Sequence, residues 1–322
     1  MVDINFEYDP DFLNEEIRDG YLVTSDIKKL WLVQLDILNM FLNVCKKYNL
    51  NYFTEGGTTL GAVRHKGFIP WDDDIDVIMF RDDFMKLIQI LKEELKYPYY
   101  MEYMETTSFV MRIKRLDTTM IRLKNPEDIP SEFNKSKYKS PRCIGIDVFC
   151  FDNFPEISDE MEKFKESLRF GAYMYRHSRF VYDYQYKRFD VKLDDLSKFK
   201  NKIKTSINDY QTICQTYNNI DTKYIFDSCF PNHLENFEQV KYKEDYQDYV
   251  IFPFEMFELR LPVGYERVLD MHYTKRTGIP WQTPAKNLAY HNQELKLFLD
   301  FDNPYTKYTL DFYDRPEDVV KY

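Results

Sequence analysis

Glycine is scarce in this chain, nine among 322 residues, and four of the nine (Gly56, Gly57, Gly61 and Gly67) fall within twelve consecutive positions. The five cysteines, Cys45, Cys143, Cys150, Cys214 and Cys229, are odd in number and form no Cys-x-x-Cys pair. That spacing argues against a zinc site and predicts reduced, buried thiols in a cytoplasmic setting. Long apolar runs are missing too: none approaches the ~18 residues that a membrane-spanning helix requires. Positive charge is in deficit, 44 Lys and Arg against 54 Asp and Glu for a formal net charge of −10, which argues against a general nucleic-acid binder. Asp3, Glu7, Asp9 and Asp11 occupy the first residues, where a secretory leader would be basic and then apolar, so no leader is expected. No internal repeat or low-complexity tract stands out.

What the chain does hold is a core and one unusual stretch. Hydrophobic residues make up 44% of it and aromatic residues 17%, enough for a sizeable core with rings left over to line a pocket. The stretch is Thr54 to Val77, which combines the four clustered glycines with Asp72, Asp73, Asp74 and Asp76. Like charges this close repel, and a fold keeps them where a cation or a solvated face offsets the repulsion. After Trp71, carboxylate and aliphatic residues alternate as Asp74, Ile75, Asp76, Val77. On a strand this places both carboxylates on one face and both aliphatics on the other. Two oxygen ligands on one side, completed by phosphate oxygens, suit magnesium. An isolated Asp-x-Asp is more often a solvated turn before a strand.

Two other readings of the acidic run fail on spacing. An EF-hand loop needs Gly at its sixth position and Glu at its twelfth, where this chain has Val77 and Asp83. An Asp-Asp-x-x-Asp diphosphate motif belongs on a helix, which Pro70 and the two-residue alternation oppose. The remaining pattern is a Gly-rich turn, then Asp-x-Asp, then a distant third acid. Asp147 is that candidate, a single charge inside the apolar run Cys143 to Phe149. A satisfied structural Asp at a strand end is the competing reading. Gly56-Gly57-Thr58 follows the strand-like Leu50 to Phe53, and Thr58 is expected to cap a short helix whose first amides bind phosphate. Arg64, His65 and Lys66 put positive charge nearby, for phosphate or for the acids themselves.

The run from Gly57 to Val77 resembles the signature of the LicD family of phosphotransferases, which includes the fukutin-related proteins. Thr59 stands where that family usually has Leu. The resemblance implies an α+β fold of nucleotidyltransferase type, a small mixed sheet flanked by helices with a helical C-terminal part. It implies residues 1–155 as the catalytic core and 156–322 packed on it in one continuous domain. It makes Asp74 and Asp76 metal ligands and Asp147 the third acid, with Mg²⁺, or Mn²⁺, as the ion. Donor phosphate binding is expected at Gly56, Gly57, Thr58, Arg64, His65 and Lys66, and the resemblance adds Arg112 or Lys114, on the strand before the Asp117-Thr118 turn. The implied reaction moves phosphocholine or a polyol phosphate from a CDP-linked donor to a sugar hydroxyl, as in lipopolysaccharide or teichoic acid biosynthesis. The implied partners are that donor and a glycan acceptor, free or lipid-linked, without nucleic acid or stable membrane insertion. Two alternatives keep the same fold: a nucleotidyltransferase that releases pyrophosphate, and a non-catalytic glycan-binding protein.

The rest of the chain reads as support. Leu30, Val33, Ile37, Phe41, Val44 and Cys45 recur at helical spacing behind a Thr24-Ser25-Asp26 cap, and Phe84, Leu87, Ile88 and Leu91 do so after Arg81. Tyr97 to Leu123 reads as strands, and Asn125 to Pro141 as a loop that could cover the site. Tyr173, Tyr175, Phe180, Tyr182, Tyr184 and Tyr186 could form a choline cage, although aromatic packing between helices explains them as well.

Overall fold

The computed structural model describes residues 2–103, 108–123, 136–138, 141–188, 193–231, 240–283 and 297–311, the side chains of 136–138, 182–197, 199–200 and 309–311 excepted. The expected lid, 125–141, lies almost wholly outside the described residues, as do the side chains of Tyr182, Tyr184 and Tyr186.

Thr24 opens helix α1 (Ser25–Tyr48), its Oγ1 accepting from the Ile27 amide at 3.4 Å. Leu30, Val33, Ile37, Phe41 and Cys45 form its buried stripe. Asn49 ends it at φ 51°, a left-handed conformation that Asn tolerates better than most residues. The chain then runs through strand β1 (Phe53–Thr54), helix α2 (Gly56–His65), strand β2 (Asp76–Phe80) and helix α3 (Arg81–Glu94). Strands β3 (Tyr99–Glu102), β4 (Met111–Arg115) and β5 (Gly145–Phe154) follow. Next come the long helices α4 (Ser158–Arg188) and α5 (Leu193–Cys214), then strands β6 (Tyr224–Asp227) and β7 (Val240–Tyr242).

These strands form one mixed sheet in the order β7-β6-β5-β2-β1, with β3 and β4 attached beside β5. Strand β5 is ten residues long and organises it. One edge pairs in parallel with β2, Asp76 opposite Asp147 and Phe80 opposite Phe151. The other edge serves two antiparallel partners in succession, β4 beside its first half and β6 beside its second. One core of buried side chains runs from Trp31 and Leu35 of α1 through Val77, Ile78 and Val148 of the sheet to Leu168 of α4 and Tyr210 of α5. The fold is mixed α+β, as expected. After residue 156 the long helices α4 and α5 are followed by β6 and β7, which return to the sheet, and by a hairpin (Tyr249–Phe254 with Phe257–Pro262).

That hairpin clasps the loop after α2. Phe254 packs on Phe68 with ring centroids 4.9 Å apart, and Glu255 Oε1 accepts from the Phe68 amide at 3.1 Å and from Arg18 Nη1 at 2.6 Å. All five cysteines are free and buried. Among the described residues, no helix is long and apolar enough to cross a membrane.

Candidate active site

The parallel pairing of β2 and β5 brings the third acid to the first two. Asp76 and Asp147 are register partners, and the Asp147 amide donates to the Ile75 carbonyl at 2.9 Å. Asp74 sits two residues earlier, in the extended segment that enters β2. Ile75 and Val77 are fully buried while Asp74, Asp76 and Asp147 are half-buried, so the two-residue alternation does separate core from cleft.

Helix α2 is clamped onto this pair of strands. The Glu55 amide donates to the Asp76 carbonyl at 3.1 Å, and Thr58 Oγ1 accepts from the Asp76 amide at 2.8 Å. Thr58 is therefore not the cap that its sequence position suggests. The cap position falls on Glu55, and Thr58, inside the first turn, ties the helix to Asp76. The glycines are a matter of room and conformation. Gly56 has φ 49°, and a Cβ there would stand 3.6 Å from Asp76 Oδ2; at Gly57 a Cβ would lie 2.5 Å from Asp72 Oδ2. The carboxylates of Asp72 and Asp76 thus lie against the first turn of α2.

Burial and crowding raise the proton affinity of all three predicted acids. Asp74 is raised well above the usual carboxylate range by burial and then by Asp72, Asp76, Asp73 and Asp147. Asp76 is raised likewise by burial and then by Asp147, Asp72, Glu55 and Asp227. Asp147 is raised by burial, against the pull of Arg112 and Lys114, and Arg112 Nε stands 3.0 Å from its Oδ1. Asp73, fully buried, is instead held by Arg122 at 3.0 Å. Carboxylate oxygens of Asp72, Asp73 and Asp74 come within 4.8 Å of one another. The donor set is hard oxygen throughout, without thiolate or imidazole. It fits a magnesium-like or manganese-like cation and not zinc, and a cation would offset the mutual repulsion.

Other predicted residues have different company. Arg64, His65 and Lys66 end α2, about 15 Å along its axis from the Gly56 end by helix geometry. Arg64 Nη1 donates to the carbonyls of Trp281 and Thr283 at 3.2 and 3.1 Å, and its Nε bonds His65 at 2.8 Å. His65 Nδ1 lies 2.9 Å from Asp19, and burial, with Arg64 beside it, pushes its pKa down to about 4. Lys66 is exposed. In the aromatic tract, Tyr175 is buried against Phe109 with centroids 5.1 Å apart while Tyr173 and Phe180 are exposed, so these three do not converge on one cage.

Sequence reasoning missed Asp72, Glu55, Asp227 and Lys241 as members of this neighbourhood. Asp72 and Glu55 flank the predicted motifs and were findable by adjacency. Asp227 on β6 and Lys241 on β7 come close only through sheet order.

Residues 49–170 match the family described as LicD/FKTN/FKRP, nucleotidyltransferase domain. This part of the chain is similar to a LicD-type domain. The matched span contains the three acids, the glycine turn and Arg112, and it ends before α5, β6 and β7. Among individual relatives, the lipopolysaccharide cholinephosphotransferase LicD of Haemophilus influenzae is 46% identical over 79 residues, 24% of this chain and 30% of that protein. An uncharacterised protein of Rickettsia prowazekii is 46% identical over 57 residues, 18% of this chain and 21% of its own length. Another from Rickettsia typhi is 42% identical over 87 residues, 25% of this chain and 28% of its own length. The chain thus aligns with less than a third of each of these curated relatives.

Proposed function

We propose that the protein transfers a phosphorylated group, phosphocholine or a polyol phosphate, from a CDP-linked donor to a sugar hydroxyl of a cell-surface glycan. The observation that carries this reading is the meeting of Asp74, Asp76 and Asp147 beside the two-glycine start of α2, within the span that matches the LicD family. The Haemophilus relative, by its name, acts on lipopolysaccharide, which supports a glycan acceptor here.

Asp74, Asp76 and Asp147 would hold Mg²⁺ or Mn²⁺. When bound, such an ion would offset charge on the donor diphosphate and lower the pKa of an acceptor hydroxyl. The amides at Gly56 and Gly57 receive a donor phosphate, aided by the positive end of α2. Arg112, on the strand next to β5, adds charge on the same side as Asp147. Asp147 binds the metal or accepts the proton of the attacking hydroxyl.

Calorimetric titration of CDP-choline, CDP-ribitol, CDP-glycerol and ATP, with and without magnesium, tests the reading. Magnesium-dependent binding of one CDP conjugate, lost in Asp74→Asn, and release of CMP on turnover are the expected results. Preference for ATP with pyrophosphate release would make the protein a nucleotidyltransferase, and a folded protein that binds none of the four would favour the glycan-binding alternative.

A further inference from the structure

Helix α2 has an acid at its capping position. A cap residue ordinarily turns its side-chain oxygen onto the second or third amide of its helix and so occupies the helix's own donors. Glu55 makes no such bond. Its Oε1 is in contact with Lys241 Nζ, and its Oε2 has no hydrogen-bond partner among the described residues. Both residues are buried, Glu55 9% exposed and Lys241 6%. The lysine belongs to β7, well outside the residues 49–170 that match the LicD family. Its ammonium is walled by aromatic faces, 5.4 Å from the ring centroid of Phe151 and 5.8 Å from that of Tyr246.

The consequence falls on the amides of the first turn. Thr58 and Thr59 both donate to the Glu55 carbonyl, at 3.1 and 3.3 Å. Among the described residues, the Gly56 and Gly57 amides bond to no acceptor. The Asp72 and Asp76 carboxylates already lie against this turn, and Glu55, as the cap residue, would bring a third carboxylate to it, but Lys241 holds that one elsewhere.

We propose that Lys241 is a positioning residue for donor binding: it draws the Glu55 carboxylate off the N-terminus of α2 and offsets its charge, so that the Gly56 and Gly57 amides stay open to phosphate. This rests on the reading above that donor phosphate binds at that turn. Without the lysine, Glu55 is a buried anion with no cation beside it, left with the neutral Tyr246 hydroxyl. Its readiest relief is rotation onto its own helix, where it occupies the amides and repels phosphate.

The test is calorimetric titration of CDP-choline and, separately, of pyrophosphate, both with magnesium, into the full chain and its variants, with thermal unfolding run on each. Lys241→Met is expected to raise Kd for pyrophosphate about tenfold. Adding Glu55→Gln to Lys241→Met is expected to restore near wild-type Kd, because a neutral amide needs no counter-charge. A purely structural lysine would not be rescued in this way, so an unrescued loss overturns the proposal, as does an unchanged Kd in Lys241→Met. Should Lys241→Met fail to fold, the double variant decides alone: near wild-type affinity supports the proposal and a tenfold loss overturns it. If pyrophosphate behaves as expected and no CDP donor binds, the function proposed above fails while this inference stands; if wild type binds neither, both fail.

Discussion

Strand β5 carries two aspartates five positions apart whose surroundings are opposite. Asp152, 1% exposed, accepts from Arg81 Nε at 2.9 Å and from Asn218 Nδ2 at 2.7 Å, and Arg81 reaches on to Gln211 at 2.6 Å and Ser228 at 3.0 Å. Asp147, its side chain 28% exposed, has Arg112 at 3.0 Å and Lys114 near it, against three carboxylates, Asp74, Asp76 and Glu102. At Asp152 donors match acceptors and the charges cancel, which is how a fold keeps a buried ion pair. Around Asp147 carboxylates outnumber cations and remain open to the cleft. Burial is common to both, so it does not mark the site; the mismatch of charge does.

The contrast can be broken by substitution. Asp76→Asn is expected to lower the transfer rate at least about 10²-fold while the metal-free protein unfolds at no lower temperature, since a repelling charge has been removed. Steady-state kinetics and a thermal scan on the same sample check both halves. Asp152→Ala should do the reverse, costing about 3–5 kcal/mol in urea unfolding because Arg81 is left buried and uncompensated, with the rate per folded molecule unchanged. Equal stability losses in the two variants would dissolve the distinction.

Asp227, on the neighbouring strand, sharpens it through pH. Burial pushes its carboxyl up to about 7, against the pull of the Cys229 amide and Lys241. The folded state therefore holds this proton where the unfolded chain has released it. Its contribution to stability is full below the ordinary value of 3.8 and is lost as pH rises through about 7. Asp227→Asn should flatten the fall in unfolding free energy across that window, and an unaltered pH profile would show that another group sets it. The smallest expected effect is at Lys66, which ends α2 at φ 56°. Lys66→Gly removes left-handed strain and should stabilise by up to about 1 kcal/mol. Donor affinity in that variant tells whether the exposed ammonium also touches phosphate.

Much of the fold was legible because its signals are local. The Thr24 cap, the stripe from Leu30 to Cys45, the restart of a helix at Arg81 and the Asp74 to Val77 alternation each depend on residues within a turn or a strand of one another. Thr58 was misread as a cap since a hydroxyl after two glycines fits either role, and only the position of Asp76 decides between them. The basic run Arg64 to Lys66 looked close to the acids in sequence. The length of α2 and the carbonyls of Trp281 and Thr283 set it apart from the glycine turn.

The sequence by itself determined the chemistry on offer: hard carboxylates at alternating positions, glycines where a side chain would collide or strain, and a third acid in an apolar strand. Which carboxylates meet, and which cations answer them, was left to tertiary structure. Asp76 and Asp147 are neighbours because β2 and β5 pair in parallel, and Lys241 reaches Glu55 across 186 residues because β7 closes the sheet. Charge interactions weaken with distance, strengthen with burial and take no account of sequence separation, so the fold alone could settle that balance.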